Sequence, residues 1–247
     1  MRPPVIIDEP RNYRSFGSDD YLKTFRVTVE TSDLYVKATS YLQDETESLV
    51  RECRSLIEKS IKNRPQFLTS LIPIDSSADE SIVTHRMIEA ARKAGVGPMA
   101  AVAGAVADYV GRTLMGLSDE IILENGGDLF VYVKRSIVVG IYAGSSPFSR
   151  KIGLKIGPTV IPVGVSTSSG KVGPSRSFGK AHAATIVSND SILADAVATA
   201  MGNRISQPAD LEPACRWAMS IEGVTGCVGI LDDKMAALGK IELVPIN

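Results

Sequence analysis

The sequence predicts an α+β fold, a single domain in which a mostly antiparallel central sheet is packed by helices. Three observations predict it. With 247 residues and 44% hydrophobic content, the chain can bury a core without disulfides or metal staples. Before residue 120 the apolar residues recur mainly at helical spacing; after it they alternate, or run in short β-branched stretches divided by turn residues. Those stretches are joined by connections too short for crossover helices, which favours antiparallel neighbours. No repeat, low-complexity tract or linker divides the chain, so residues 1–247 read as one domain.

Residues 24–38, TFRVTVETSDLYVKA, alternate bulky and polar side chains around a Glu-Thr-Ser-Asp break and predict a hairpin. From Asp44 to about Lys62, Leu49, Val50, Cys53, Leu56, Ile57 and Ile61 form an apolar helical stripe, with Cys53 as a small core residue. Pro65 and Pro73 break this helix, a Ser-Asp-rich turn follows, and a second helix covers residues 81–94. After Gly95, Gly97 and Pro98 comes a helix with Val102, Val106, Val110 and Leu114 on one face, surrounded by Ala100, Ala103, Gly104 and Ala107. A helix so slim can lie very close to a sheet or to a bound ligand. The segments EIILEN, DLFVYV, SIVVGIYA, KIGLKIG and TVIPVGVSTS are the expected strands of the central sheet. After AATIVS, Asn189 and Asp190 offer caps for the helix SILADAVATAMGN. A short helix over residues 210–220 and a final strand pair, GVTGCVGIL with KIELVPI, complete the chain, and its terminal strands are candidate edges for pairing two copies as a homodimer.

Composition excludes several classes of function. A net charge of -1 with no basic run among aromatics gives no footprint for nucleic acid. Cys53, Cys215 and Cys227 are odd in number and widely spaced, which argues against a disulfide framework or a CxxC zinc site and points to a reducing cytoplasm. The opening MRPPVIIDEPRNYRSFGSDDY has no apolar stretch of signal-peptide length. The uncharged stretches between Lys93 and Asp108 and between Arg135 and Arg150 have 14 residues each, short of the roughly 20 that a membrane helix needs.

Several groups of residues could carry chemistry. Asn125-Gly126-Gly127-Asp128 lies between two apolar strands, where Asn-Gly is a strong hairpin signal. The same glycines would let backbone N–H groups approach an anionic or carbonyl-rich ligand, although the residues alone favour the plain turn. Ser166, Thr167, Ser168 and Ser169, ahead of Gly170 and Lys171, make a hydroxyl-rich strand end, suited equally to a phosphate or flavin carbonyl and to an exposed polar loop. It is not a GxxxxGK[ST] phosphate loop, because Val172 follows the lysine. Asp195 and Thr199 stand at i and i+4 on one side of a helix, as oxygen ligands to magnesium would. Spacing by itself favours a solvated acid near a helix start and a threonine bonded back to the helix. His182 lacks a second ligand at metal spacing, and Arg216 beside Cys215 could lower a thiol pKa. No Ser-His-Asp order, nucleophile elbow or dinucleotide fingerprint occurs.

These pieces in this order resemble the ApbE-like superfamily, whose best-known members transfer FMN from FAD to a threonine or serine of a target protein. MAAVAGAVAD is similar to that family's GGIAKGYAVD, ENGGDLFV to its NxGGDxxV strand turn, VSTSSG to its ATSGDY loop and ILADAVATAM to its ALADALATAL helix. The resemblance implies that Asp195 and Thr199 are magnesium ligands, with a backbone oxygen near Ala100 or Ala101 completing the set. It also implies that Gly104, the turn Asn125, Gly126, Gly127, Asp128 and the loop Ser166, Thr167, Ser168, Ser169 lie beside a nucleotide. The chain departs from the pattern in three places: Ala103-Gly104-Ala105 replaces the Lys-Gly-Tyr that helps hold FAD, Gly170 or Lys171 replaces the acid of SGDY, and HIIDPRTG is missing. KAGVGPMAAVAGAVADYVG and SRSFGKAHAATIVSNDSILADAVATAMGN are closer to a short, uncharacterised branch of the superfamily found in anaerobes and methanogens, whose members have been linked to assembling homocysteine from sulfide. The resemblance thus implies a cytoplasmic protein that binds a small anionic or nucleotide-like ligand with magnesium, in sulfur metabolism. Its alternatives are FAD-dependent FMN transfer to a protein, and a non-catalytic scaffold or sulfur-carrying partner acting through Cys215 or Cys227.

Overall fold

The computed structural model describes residues 21–170 and 179–246. The opening segment, with Lys171, Val172 and the SRSF of the later motif, lies outside them. The predicted first hairpin is Lys23–Val29 (β1) with Ser32–Ala38 (β2), and Phe25, Val27, Leu34 and Val36 share its buried face because alternate strand residues point the same way. Gln43–Asn63 (α1) buries Val50, Cys53 and Ile57 of the expected stripe. Where the sequence predicts only a break, a one-turn helix, Gln66–Thr69 (α2), anchors Phe67 in the core. Ile82–Ala94 (α3) starts at Ser81, whose hydroxyl accepts the Thr84 N–H. A 3-10 turn over Pro98–Ala101 then leads into the slim helix, Val102–Leu114 (α4).

The remaining elements are Ile121–Asn125 (β3), Asp128–Tyr132 (β4), Ile137–Gly140 (β5), Ile152–Ile156 (β6), Val163–Ser168 (β7), Ala183–Ser188 (β8), Ser191–Asn203 (α5), Leu211–Met219 (α6), Val224–Leu231 (β9), Lys234–Gly239 (β10) and Glu242–Pro245 (β11). Among the described residues, eight strands form one sheet in the order β1-β2-β3-β4-β7-β8-β9-β10, and three form a second in the order β11-β6-β5. Every pairing is antiparallel. The α+β architecture expected from the sequence is the one observed.

Two expectations about strand membership are corrected. SIVVGIYA and KIGLKIG supply β5 and β6 of the second sheet, not of the central one. The partner of β9 is KMAALG (β10), turned back through Asp232 and Asp233, while KIELVPI supplies β11 to β6. The reason is that the large sheet is apolar on both faces. Leu34, Leu123, Phe130 and Ile186 face the helices, whereas Ile122, Val131, Val165 and Val228 face the small sheet. Strands covered on both sides read as continuous apolar runs whichever sheet they join, so periodicity cannot assign them. Among the described residues no helix is long and apolar enough to cross a membrane.

Candidate functional site

The small side chains of α4 let it sit against the sheet and against α5. A Cβ on Gly104 would lie 2.3 Å from the Ser191 carbonyl oxygen of α5, so only glycine fits where the two helices cross. Helix α5 in turn runs over β7, with Ser191 against Gly164 at one end and Gly202 near Ser168 at the other. Asp190 starts α5 by accepting the Ile192 and Leu193 N–H groups at 2.8 and 3.1 Å.

One turn into α5, Asp195 is turned toward α4. Its Oδ2 accepts the Gly104 N–H at 2.9 Å, and the Ala103 N–H also bonds to the carboxyl. Both amides belong to the first turn of α4, which receives no cap from its own N-cap side chain, so Asp195 serves as a cap supplied by a different helix. It is not the solvated acid favoured by spacing alone, for it is only 9% exposed. Thr199, one turn further along, is half-buried.

Across from Asp195, the Asn-Gly-Gly-Asp segment is a two-residue hairpin with Asn125 paired to Asp128. Gly126 and Gly127 have φ of 68° and 102°, the left-handed values that match such a turn to the twist of its strands. Asn125 Nδ2 donates to the Ala103 carbonyl at 3.1 Å, tying the turn to α4, and the Gly127 N–H donates to Glu124 Oε1 at 2.8 Å. Asp128 pairs with Ser166 of β7. Ser166 and Ser168 share the face that α5 covers, whereas Thr167 points to the other face, its hydroxyl 2.9 Å from that of Thr185. Ser169 is buried, with its hydroxyl directed at the Ala181 carbonyl. The structure thus brings together Asp195, Asp128, Ser166, Asn125 and the first amides of α4, and sets Thr167 apart.

Burial raises the Asp195 pKa to about 7, against the opposing pull of the Gly104 and Ala103 amides. Asp128 is also raised well above the usual carboxylate range, first by burial and then by the charge of Asp195. The Ser166 hydroxyl lies close enough to favour the charged form of Asp128, yet among the described residues makes no hydrogen bond of good geometry. Two buried carboxylates that each penalise the other's ionisation are relieved by a proton or by a cation. Neither forms an ion pair with a lysine or arginine among the described residues. No group of three His, Cys, Asp or Glu side chains among those residues is placed to hold a metal. The donors are therefore one or two carboxylates with hydroxyl and backbone oxygens, a set that fits magnesium, which retains several waters, better than zinc or a calcium cage.

Three features were not legible in the sequence. Arg86 of α3 donates to Asp108 of α4 and, at 3.0 Å, to Asp190, while the fully buried Asp108 also accepts Arg112 Nε at 2.9 Å. The one sequence signal for this network was a lone acid inside a slim apolar helix. His182 Nε2 lies 3.2 Å from Ser145 Oγ and 3.8 Å from Asp232 Oδ1, a Ser-His-Asp set assembled from three separate loops. It is not a hydrolytic triad: His182 Nδ1 accepts the Asp232 N–H at 3.0 Å, so the ring proton sits on Nε2 and the imidazole cannot take the serine's proton. Finally, Cys215 and Cys227 adjoin each other in the core, where the neighbouring thiol and then burial push the Cys215 pKa up. Arg216, expected to lower a thiol pKa, is paired with Glu212 instead.

A family model described as AbpE bacteria matches residues 14–233. The chain belongs to that family. Similar to this AbpE chain is a UPF0280 protein of Methanocella arvoryzae, 45% identical over 189 residues that make up 76% of this chain and 77% of that one. Among solved structures, the flavin transferase ApbE from Vibrio cholerae superposes with a TM-score of 0.52 at 12% identity, over 88% of this chain and 97% of its own. The ApbE protein from Thermotoga maritima gives 0.53 at 12% identity, over 90% and 96%. At such identity the likeness shows that this AbpE chain has the ApbE fold.

Proposed function

We propose that the chain binds magnesium together with a small anionic, nucleotide-like ligand where α4 and α5 cross above the Asn125–Asp128 hairpin. The observation that carries this reading is the facing pair Asp128 and Asp195, buried and without a basic partner among the described residues. Asp195 and Thr199 would hold the cation, with Asp128 close by. A bound cation would supply the positive charge that draws phosphate oxygens to an otherwise acidic site. The chain's own residues set the geometry: the α4 amides fix the Asp195 carboxyl, Asn125 ties the hairpin to α4, and Gly104 lets the helices close.

An anionic ligand entering without the cation would find two buried carboxyls and no basic side chain paired with them among the described residues to hold its charge, so its binding depends on magnesium. Ala105 is fully buried and Ala103 carries only a methyl group, which supports a ligand held through phosphate rather than through the lysine and ring that hold FAD in relatives. The buried Cys215 and Cys227 speak against a sulfur-carrying role. On the strength of the resemblance, we place the protein in the cytoplasm and in the assimilation of sulfide into homocysteine. A deletion strain that still grows on sulfide without added methionine would count against that setting. The binding reading is tested by calorimetric titration of FAD and of pyrophosphate, each with and without magnesium. Heat seen only with magnesium, and lost in Asp195→Asn, is expected; binding that is indifferent to the metal, or absent in the parent, overturns it.

A further inference from the structure

Building on that reading, we propose that Arg86 is a positioning residue for the cation site, holding the crossing of α4 and α5 at the geometry that presents the Asp195 carboxyl. Arg86 projects from α3, forms its hydrogen bonds and ion pairs with Asp108 and Asp190 rather than with Asp195 or Thr199, and is about a third exposed. Its guanidinium joins two carboxylates, one on a helix and one at the start of another: Nη1 donates to Asp108 of α4 and Nη2 to Asp190, the N-cap of α5.

Each of these acids is tied to the site by one helical turn or less. Asp108 follows Gly104 by four residues on the same face of α4, and Gly104 is the residue whose amide Asp195 accepts. Asp190 caps α5 and adjoins Ser191, the residue against which Gly104 packs without room for a Cβ. The fork of Arg86 therefore spans the crossing from the side. Without it, Asp108 keeps Arg112 alone among the described residues, and the cation that draws Asp108 and Asp190 toward each other is gone. The helices then part at Gly104, the α4 amides move off Asp195, and the carboxyl loses its orientation. Outer partners that orient a metal ligand commonly alter affinity by about 10–100-fold when removed. Lysine keeps the charge but lacks the planar fork that reaches both acids at once.

The test titrates magnesium alone into the parent, Arg86→Met and Arg86→Lys by calorimetry, and follows amide hydrogen exchange at Gly104 and at Ile186 in β8. A structural role alone would speed exchange at both amides alike. The expected result is magnesium affinity about tenfold weaker in Arg86→Met, faster exchange at Gly104 with Ile186 unchanged, and a loss of only about threefold in Arg86→Lys. Parent-like affinity in Arg86→Met overturns the proposal, as does a loss accompanied by equal acceleration at both amides. If Arg86→Met does not fold, parent-like affinity together with parent-like Gly104 exchange in Arg86→Lys overturns it. A parent that binds no magnesium overturns the cation-site reading itself, and Arg86 with it.

Discussion

At Asp195, burial and hydrogen bonding pull in opposite directions, and burial prevails. An aspartate with a pKa of about 3.9 when unfolded and about 7 when folded holds more protons in the folded state. Its contribution to stability is thus greatest below about pH 4 and declines as pH rises toward about 7. The melting temperature of metal-free protein should fall between about pH 5 and about pH 7, and Asp195→Asn should flatten that slope. Thermal scans over this range check it; a flat or rising parent profile would contradict the account. Asp195 and Thr199 were legible as an i, i+4 pair, their reading as metal ligands coming from the resemblance and not from the spacing, and the facing of Asp195 and Asp128 was not legible. Residues far apart in sequence meet only through the register of β4 with β7 and the path of α5 over it, and neither is written in local spacing.

On the scale of elements, α4 shows how much a pattern can say. Its small residues announced a close approach, while the partner they approach, α5, came only with the fold. Gly104→Ala places a Cβ on the Ser191 carbonyl, and overpacking of this kind costs about 1–3 kcal/mol. Urea denaturation should register that loss as a lower midpoint, and an unchanged midpoint would mean that the helices can separate freely. The hairpin is a different case. Among the described residues Gly126 has nothing within 4 Å of where a Cβ would stand, so there Gly126→Ala is penalised through its left-handed φ, by about 1 kcal/mol. Caps were the most readable feature: Asp190 was named from sequence as a cap for α5, and its carboxylate accepts the two amides at the start of that helix. Arg86 could not be read in the same way, because its partners lie on two other helices.

In the molecule as a whole, one large sheet separates two cores, with helices on one face and the small sheet on the other. The fold class and the antiparallel pairing were legible because short connections and residue periods fix them; the division into two sheets was not, since a strand covered on both faces looks the same in either. β11 closes the small sheet against β6, with Glu242 paired to Lys155 at 2.9 Å. Ending the chain after Lys240 should therefore uncover apolar surface around Leu154, seen as increased binding of a hydrophobic dye and a lower denaturation midpoint. Unchanged dye binding would show that β11 shields little. The same architecture suspends α4 and α5 over β4 and β7, and so creates the acidic crossing on which the functional reading rests. Its most direct test is a calorimetric titration of magnesium into the parent and Asp195→Asn at about pH 8 and about pH 6. The account predicts binding by the parent that weakens at the lower pH, where protons compete for the carboxyls, and none by the variant. Equal binding by both proteins, or no binding by the parent at either pH, would contradict it.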